Sequence, residues 1–151
     1  MNSKVGGLSN GSAIWLSVQD YYYDTLGKIY VETLHHEFSS CIFKRVDKLL
    51  RQEWLSFSKI YKKTLEYFTF CLDYPDACSG ATAEALNDGL LSLYSLTDEE
   101  NDFNIYAETL FTDPKSIKEN AKKYPAVAKK LEIFKKFYKK LGFVGKFPDE
   151  T

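Results

Sequence analysis

Ile29-Tyr-Val-Glu-Thr-Leu-His-His-Glu-Phe-Ser-Ser-Cys-Ile-Phe43 holds both histidines of the chain, His35 and His36, with Glu37 directly behind them. Asp24 or Thr25 stands where a helix cap would precede it. Wound as a helix, the stretch puts Leu26, Tyr30, Leu34, Glu37 and Cys41 on one face and Val31, Phe38 and Ile42 on another. A helix apolar on most sides is expected to lie inside its domain. Two imidazoles and two carboxylates on such a helix are costly unless partnered, so they are candidates for function rather than surface residues.

Working outward, the apolar run 13–18 reads as a strand and Tyr21-Tyr22-Tyr23 as a turn or helix approach. Residues 43–57, with Trp54, and 58–72, with Ile60, Leu65, Phe68 and Leu72, read as amphipathic helical stretches. Pro75 and Gly80 mark 73–82 as a loop, and a short helix is expected within 83–95. Thr97-Asp-Glu-Glu100 has the character of a helix start, with Thr97 as cap and acids in the first turn. That helix carries Phe103, Tyr106, Ala107 and Leu110 and stops at Asp113-Pro114. A short helical piece over 116–123 and a last helix over 126–141 follow, the latter with lysine pairs opposite its apolar positions and Gly142 as its stop. The expected fold is mainly α, an α+β arrangement with one or two N-terminal strands and a central motif helix. It forms a single domain over 13–144, with 1–12 as a disordered lead and 145–151 as a tail.

The 151 residues are enough for one cored domain, and 44% apolar with 27% charged residues is ordinary globular composition. A net charge of −1 gives no general attraction to nucleic acid or membrane, and no run approaches the length of a membrane span. The balance hides an asymmetry: ten acids and no Lys or Arg over 71–113, then eleven lysines and two acids over 115–146. These regions are expected to face one another and partly neutralise, or else the lysines form a solvated helix face. No reading motif accompanies the lysines, so no nucleic-acid partner is expected. Three cysteines make no disulfide framework. Cys41 reads as a small core residue; Cys71 and Cys78 would stay reduced in a cytosol and are able to pair in an oxidising compartment.

His36-Glu-Phe-Ser-Ser40 is the H-E-x-x-H pattern with Ser40 at the second histidine. In the full pattern the i, i+4 imidazoles bind zinc from one helix face and the Glu acts on a metal-bound water. Thr33-Leu-His-His-Glu-Phe-Ser39, Asp88-Gly-Leu-Leu-Ser-Leu-Tyr-Ser95 and Glu99-Glu-Asn-Asp-Phe103 follow in order. Together they resemble the zinc-binding metallopeptidases found as surface lipoproteins in gut Bacteroidetes and, more remotely, the lethal-factor-like gluzincins. The resemblance covers about 14–140. It implies His36 as a zinc ligand, Glu37 as general base, and Tyr94 or Tyr106 as supports of the site. It places Asn101 at the usual ligand glutamate, so that Glu100 or Asp102 would serve as the carboxylate ligand by a shift of register. His35 lies about 100° round the helix from His36 and is not expected to reach the same ion.

The resemblance therefore implies a degenerate or atypical gluzincin-like domain that binds a polypeptide or glycan-linked partner without cleaving it. An active zinc-dependent peptidase with an unusual ligand set is the alternative, and an unrelated helical interaction domain is a third. Zinc would bind weakly or not at all, and Ser40→His, completed by Glu100 or Asp102, would raise its affinity. Relatives imply a cell-envelope or surface location; a complete chain without a leader would instead be cytoplasmic.

Overall fold

The computed structural model describes residues 7–10, 12–16, 23–46, 48–56 and 61–151, the first helix by its backbone alone up to residue 30. Two short antiparallel strands, β1 (Gly7–Ser9) and β2 (Ile14–Leu16), lead into helices α1 (Tyr23–Arg45), α2 (Lys48–Leu55), α3 (Leu65–Asp73) and α4 (Pro75–Ser79). Then come α5 (Ala83–Asn87), a 3-10 turn (Tyr94–Leu96), α6 (Glu99–Thr112), α7 (Pro114–Lys123), α8 (Pro125–Lys140) and a second 3-10 turn (Pro148–Glu150). The mainly α fold with N-terminal strands expected from the sequence is the one observed.

Several boundaries move for local reasons. Asp98, not Thr97, caps α6, accepting from the Asn101 amide at 2.7 Å. Thr97 instead closes the preceding 3-10 turn, its hydroxyl donating to Tyr94 O at 2.8 Å. Pro75 at the first helical position opens α4 inside the stretch expected to be a loop. The cap expected at Asp24 or Thr25 falls inside α1, which is already helical at Tyr23. The turn expected at Tyr21-Tyr22 and the core position Ile60 lie outside the described residues. At both ends the domain is longer than expected. Gly7–Ser9, read as disordered lead, pairs with Ile14–Leu16 and packs on α1. Phe147, read as tail, is fully buried against Tyr138 and Phe143.

The core is aromatic. Phe103 of α6 packs its ring within 4.7–5.2 Å of Phe43, Trp54, Phe134 and Phe137, joining α1, α2, α6 and α8 at one point. Beside it lies a departure from apolar packing that the lysine pattern concealed. Lys130, expected on a solvated face, is fully buried and ion-paired with the equally buried Asp102. Tyr61 donates its hydroxyl to the same carboxylate oxygen at 2.7 Å. Trp54 and Tyr106 present their rings 4.5 Å and 5.3 Å from the ammonium group. Burial pushes the Asp102 carboxyl up and the Lys130 ammonium down, each partner opposing the other's shift. Asp102–Lys130 joins the acidic and basic regions, while Lys135 and Lys136 turn to Asp149, Glu150 and Glu53.

α1 corrects a further expectation. Despite its all-round apolar character it is not enclosed: Val31, Leu34 and Phe38 are 45%, 44% and 49% exposed. Its opposite side packs on α6 and the strands.

Breaking the buried pair on one side is expected to be severe. Lys130→Ala or Asp102→Ala should each lose about 3–5 kcal/mol, because a lone charge remains in the core. Lys130→Met with Asp102→Leu should recover most of that loss, as read from urea unfolding followed by Trp54 fluorescence.

Candidate functional site

α1 and α6 run antiparallel, and three polar pairs fix their register. Lys44 Nζ lies 2.9 Å from Glu100 Oε1. Asn104 Nδ2 donates to Ser40 Oγ at 2.7 Å, and His36 Nδ1 meets Glu108 Oε1. Four residues on one helix answer four on the other, about one turn or ~6 Å per step. Asn104 uses both ends of its amide, because its Oδ1 also accepts from Ser39 Oγ at 2.5 Å. Two adjacent serines suit this clamp: they are small enough to let α6 approach and polar enough to satisfy the amide. Ser40 is accordingly only 3% exposed.

At the open end of this seam lies His36. Its imidazole hydrogen-bonds the side chain of Glu108, and Asn101 lies close enough to help raise its pKa. Burial draws its pKa down; the Glu108 hydrogen bond and charge, then the Glu37 charge and the Asn101 hydrogen bond, raise it, and the balance is upward. Asn101 is held in turn, its Nδ2 donating to Thr97 Oγ1 at 2.9 Å and Asp98 Oδ2 at 3.1 Å. The ring of Tyr94 stands 6.1 Å from that of His36.

Glu37 points the other way, beneath β1. Burial raises its carboxyl, against the lowering effects of His36 and a hydrogen bond from Ser9. The strand backbone comes so close that a Cβ on Gly7 would lie 2.8 Å from both Glu37 Cγ and Thr33 Cγ2. Only glycine fits there.

His36, Asn101 and Tyr94, taken from three separated pieces of sequence, are thus brought together. Of the other candidates, Glu100 is engaged by Lys44 and Asp102 by Lys130, so neither is presented to His36. His35 stacks on Phe111 at 4.5 Å, and the Tyr106 hydroxyl donates to Gly89 O in the core. Glu108, Asn104 and Lys130 were not singled out from the sequence. Glu108 lies two turns beyond Asn101 on α6, a same-face spacing that would have paired it with a motif histidine. The ligand set that the motif implies is not the one assembled here. The His36 nitrogen meets Glu108, Ser40 is bonded to Asn104, and an amide occupies the carboxylate position. Among the described residues no group of three or more His, Cys, Asp or Glu is placed to hold a metal ion.

Glu108 and Tyr94 also line a cleft of about 480 Å³, walled by Ile105, Thr109 and the bonded pair Cys71–Cys78, whose Cα atoms are 5.5 Å apart. Among the described residues its charged lining groups are Glu32, Glu108 and Asp113.

The His36–Glu108 contact carries a pH dependence. A raised histidine pKa contributes stability that is complete below the unfolded value of about 6.5 and lost as pH rises through the higher folded value. Glu108→Gln should lower the His36 pKa and flatten that loss. Urea unfolding at about pH 6 and about pH 8.5 together with NMR titration of the His36 ring checks both.

No model of a protein family, no curated protein and no solved structure matches this chain.

Proposed function

We propose that the chain is a degenerate gluzincin-like metallopeptidase domain whose cleft binds polypeptide without cleaving it. The observation that carries this reading is the convergence at His36. Of the residues to which the resemblance assigns roles, His36, Tyr94 and Asn101 lie near one another, while Glu37, Glu100, Asp102 and Tyr106 are turned to other partners. The substitutions are partnered rather than vacant: Ser40 is tied to Asn104, and Asn101 to Thr97 and Asp98. Such partnering supports a domain kept for its shape. The carboxylates that line the cleft favour a polypeptide that presents basic side chains. The Cys71–Cys78 bond supports residence in an oxidising compartment such as the cell envelope.

A second reading, an active peptidase with an unusual ligand set, rests on Glu108. It sets a carboxylate beside His36 where Glu100 and Asp102 do not.

Zinc calorimetry and a fluorescein-labelled lysine-rich histone separate the two. The native chain should raise the histone's anisotropy and release no fragments, with or without zinc. Ser40→His alone should gain little zinc affinity, since Asn104 holds position 40 and the acids of α6 have other partners. Ser40→His with Asn101→Glu and Asn104→Ala should bind one zinc per chain, at least ~10-fold more tightly, by restoring two imidazoles and a carboxylate. Zinc-dependent cleavage by the native chain, falling roughly 10²–10⁴-fold in Glu37→Gln, would establish the active reading instead. Neither histone binding nor a zinc gain in the triple variant would overturn both.

A further inference from the structure

The turn at the end of α8, Lys139-Lys-Leu-Gly-Phe-Val-Gly-Lys146, carries three lysines, three large apolar residues and no acid. Its base is built into the fold. Phe143 turns its ring inward, 6.4 Å from Tyr138 and 4.6 Å from Phe147, and its amide donates to Tyr138 O at 3.0 Å. Gly142 reverses the chain at φ 97°, and a Cβ there would stand in open space. A Cβ on Gly145 would come within 3.1 Å of the Phe143 ring, so the chain closes tightly over its own anchor. Between the two glycines Val144 projects, 98% exposed, and Leu141 is 47% exposed.

A valine held in water at the tip of an anchored turn contributes nothing to the core. The exposed apolar surface also extends beyond it. Leu141 and Phe143 border an apolar groove of about 570 Å³ on the flank of α1 turned away from His36, and Phe38 lines the same groove. Leu34 and Val31 continue from Phe38 along α1 at helical spacing. Exposed apolar surface of this kind marks contact with a protein or a membrane. Shape and charge at the tip favour the membrane. A single projecting side chain suits a partner that yields around it, as the boundary between headgroups and acyl chains does. Lys139, Lys140 and Lys146 are exposed at the two ends of the turn, and the Lys139 ammonium lies 5.9 Å from the Phe147 ring, at the base. Cations set behind an apolar tip reach anionic headgroups while the tip enters below them.

We propose that this turn is a membrane-docking element: Leu141 and Val144 insert into the interface of an anionic bilayer, and Lys139 and Lys146 meet its charged headgroups. The element is separate from the His36 cleft and does not depend on the function assigned there.

Flotation of the full chain with vesicles of two parts phosphatidylcholine to one part phosphatidylglycerol tests this, with pure phosphatidylcholine vesicles as the control. The anionic vesicles should bind at least ~10-fold more tightly, and added salt should weaken that binding by screening the lysines. Lys139→Gln with Lys146→Gln should lower the affinity about 25-fold, at about fivefold per lysine. Val144→Asp, a change at a fully exposed position, should lower it at least ~10-fold with circular dichroism unaltered. Val144→Trp should still bind, and brominated lipid should quench its emission beyond any quenching of the native chain, which locates the tip in the bilayer. Equal binding to neutral vesicles, no loss in Val144→Asp, or no vesicle binding at all would overturn the proposal. Binding without added quenching in Val144→Trp would reduce the contact to surface electrostatics and overturn insertion. A chain that ignores vesicles but sediments as a dimer, separated by Val144→Asp, would give the tip to a second copy and overturn it as well.

Discussion

The amide of Asn104, clamped between Ser39 and Ser40, is the contact on which the helix arrangement turns. A side-chain amide in the interior needs both its donor and its acceptor satisfied. Only one register of α1 against α6 offers two hydroxyls in the right places. With that register set, Lys44 falls opposite Glu100 one turn away and His36 opposite Glu108 one turn the other way. The neighbouring face of α6 carries Asp102 to Lys130 and so fixes α8, while Phe103 reaches Phe43, Trp54 and Phe137. Apolar packing supplies the bulk of the stabilisation, but it tolerates sliding; the polar contacts choose among the ways of packing.

How much of this was legible follows from which signals are local. Proline, glycine and acid clusters act on their own few residues. α6 and α8 were accordingly readable from Asp113-Pro114 and Gly142, with ends displaced by a residue or two. Lys130 was not readable. Its helix has lysines in pairs, and nothing along the chain distinguishes the one that faces Asp102 from Lys129, which meets Glu132 at the surface. Glu108 escaped notice for a similar reason: its importance lies in a helix seventy-two residues upstream. The motif pointed to His36, Tyr94 and Asn101, which lie near one another in the fold. It pointed also to Glu100 and Asp102, whose carboxylates are engaged by lysines that the motif does not contain.

α1 serves two surfaces. Because adjacent residues are about 100° apart on a helix, His35 and His36 part company at once: one stacks on Phe111 by the apolar groove, the other meets Glu108 by the acidic cleft. This resolves why the helix is apolar nearly all round yet not enclosed. One flank packs against α6, and the other presents Val31, Leu34 and Phe38 to the outside.

The burial of Lys130 has a practical corollary for watching the molecule open. An amine enclosed by Trp54, Tyr106 and Asp102 is shielded from acylating reagents, whereas exposed neighbours such as Lys129 react freely in the native state. Acylation at residue 130 therefore counts excursions in which α8 separates from α6, molecule by molecule, and peptide mapping reads the tally. The chain carries its own clock for breathing of the core, with its surface lysines as the internal standard.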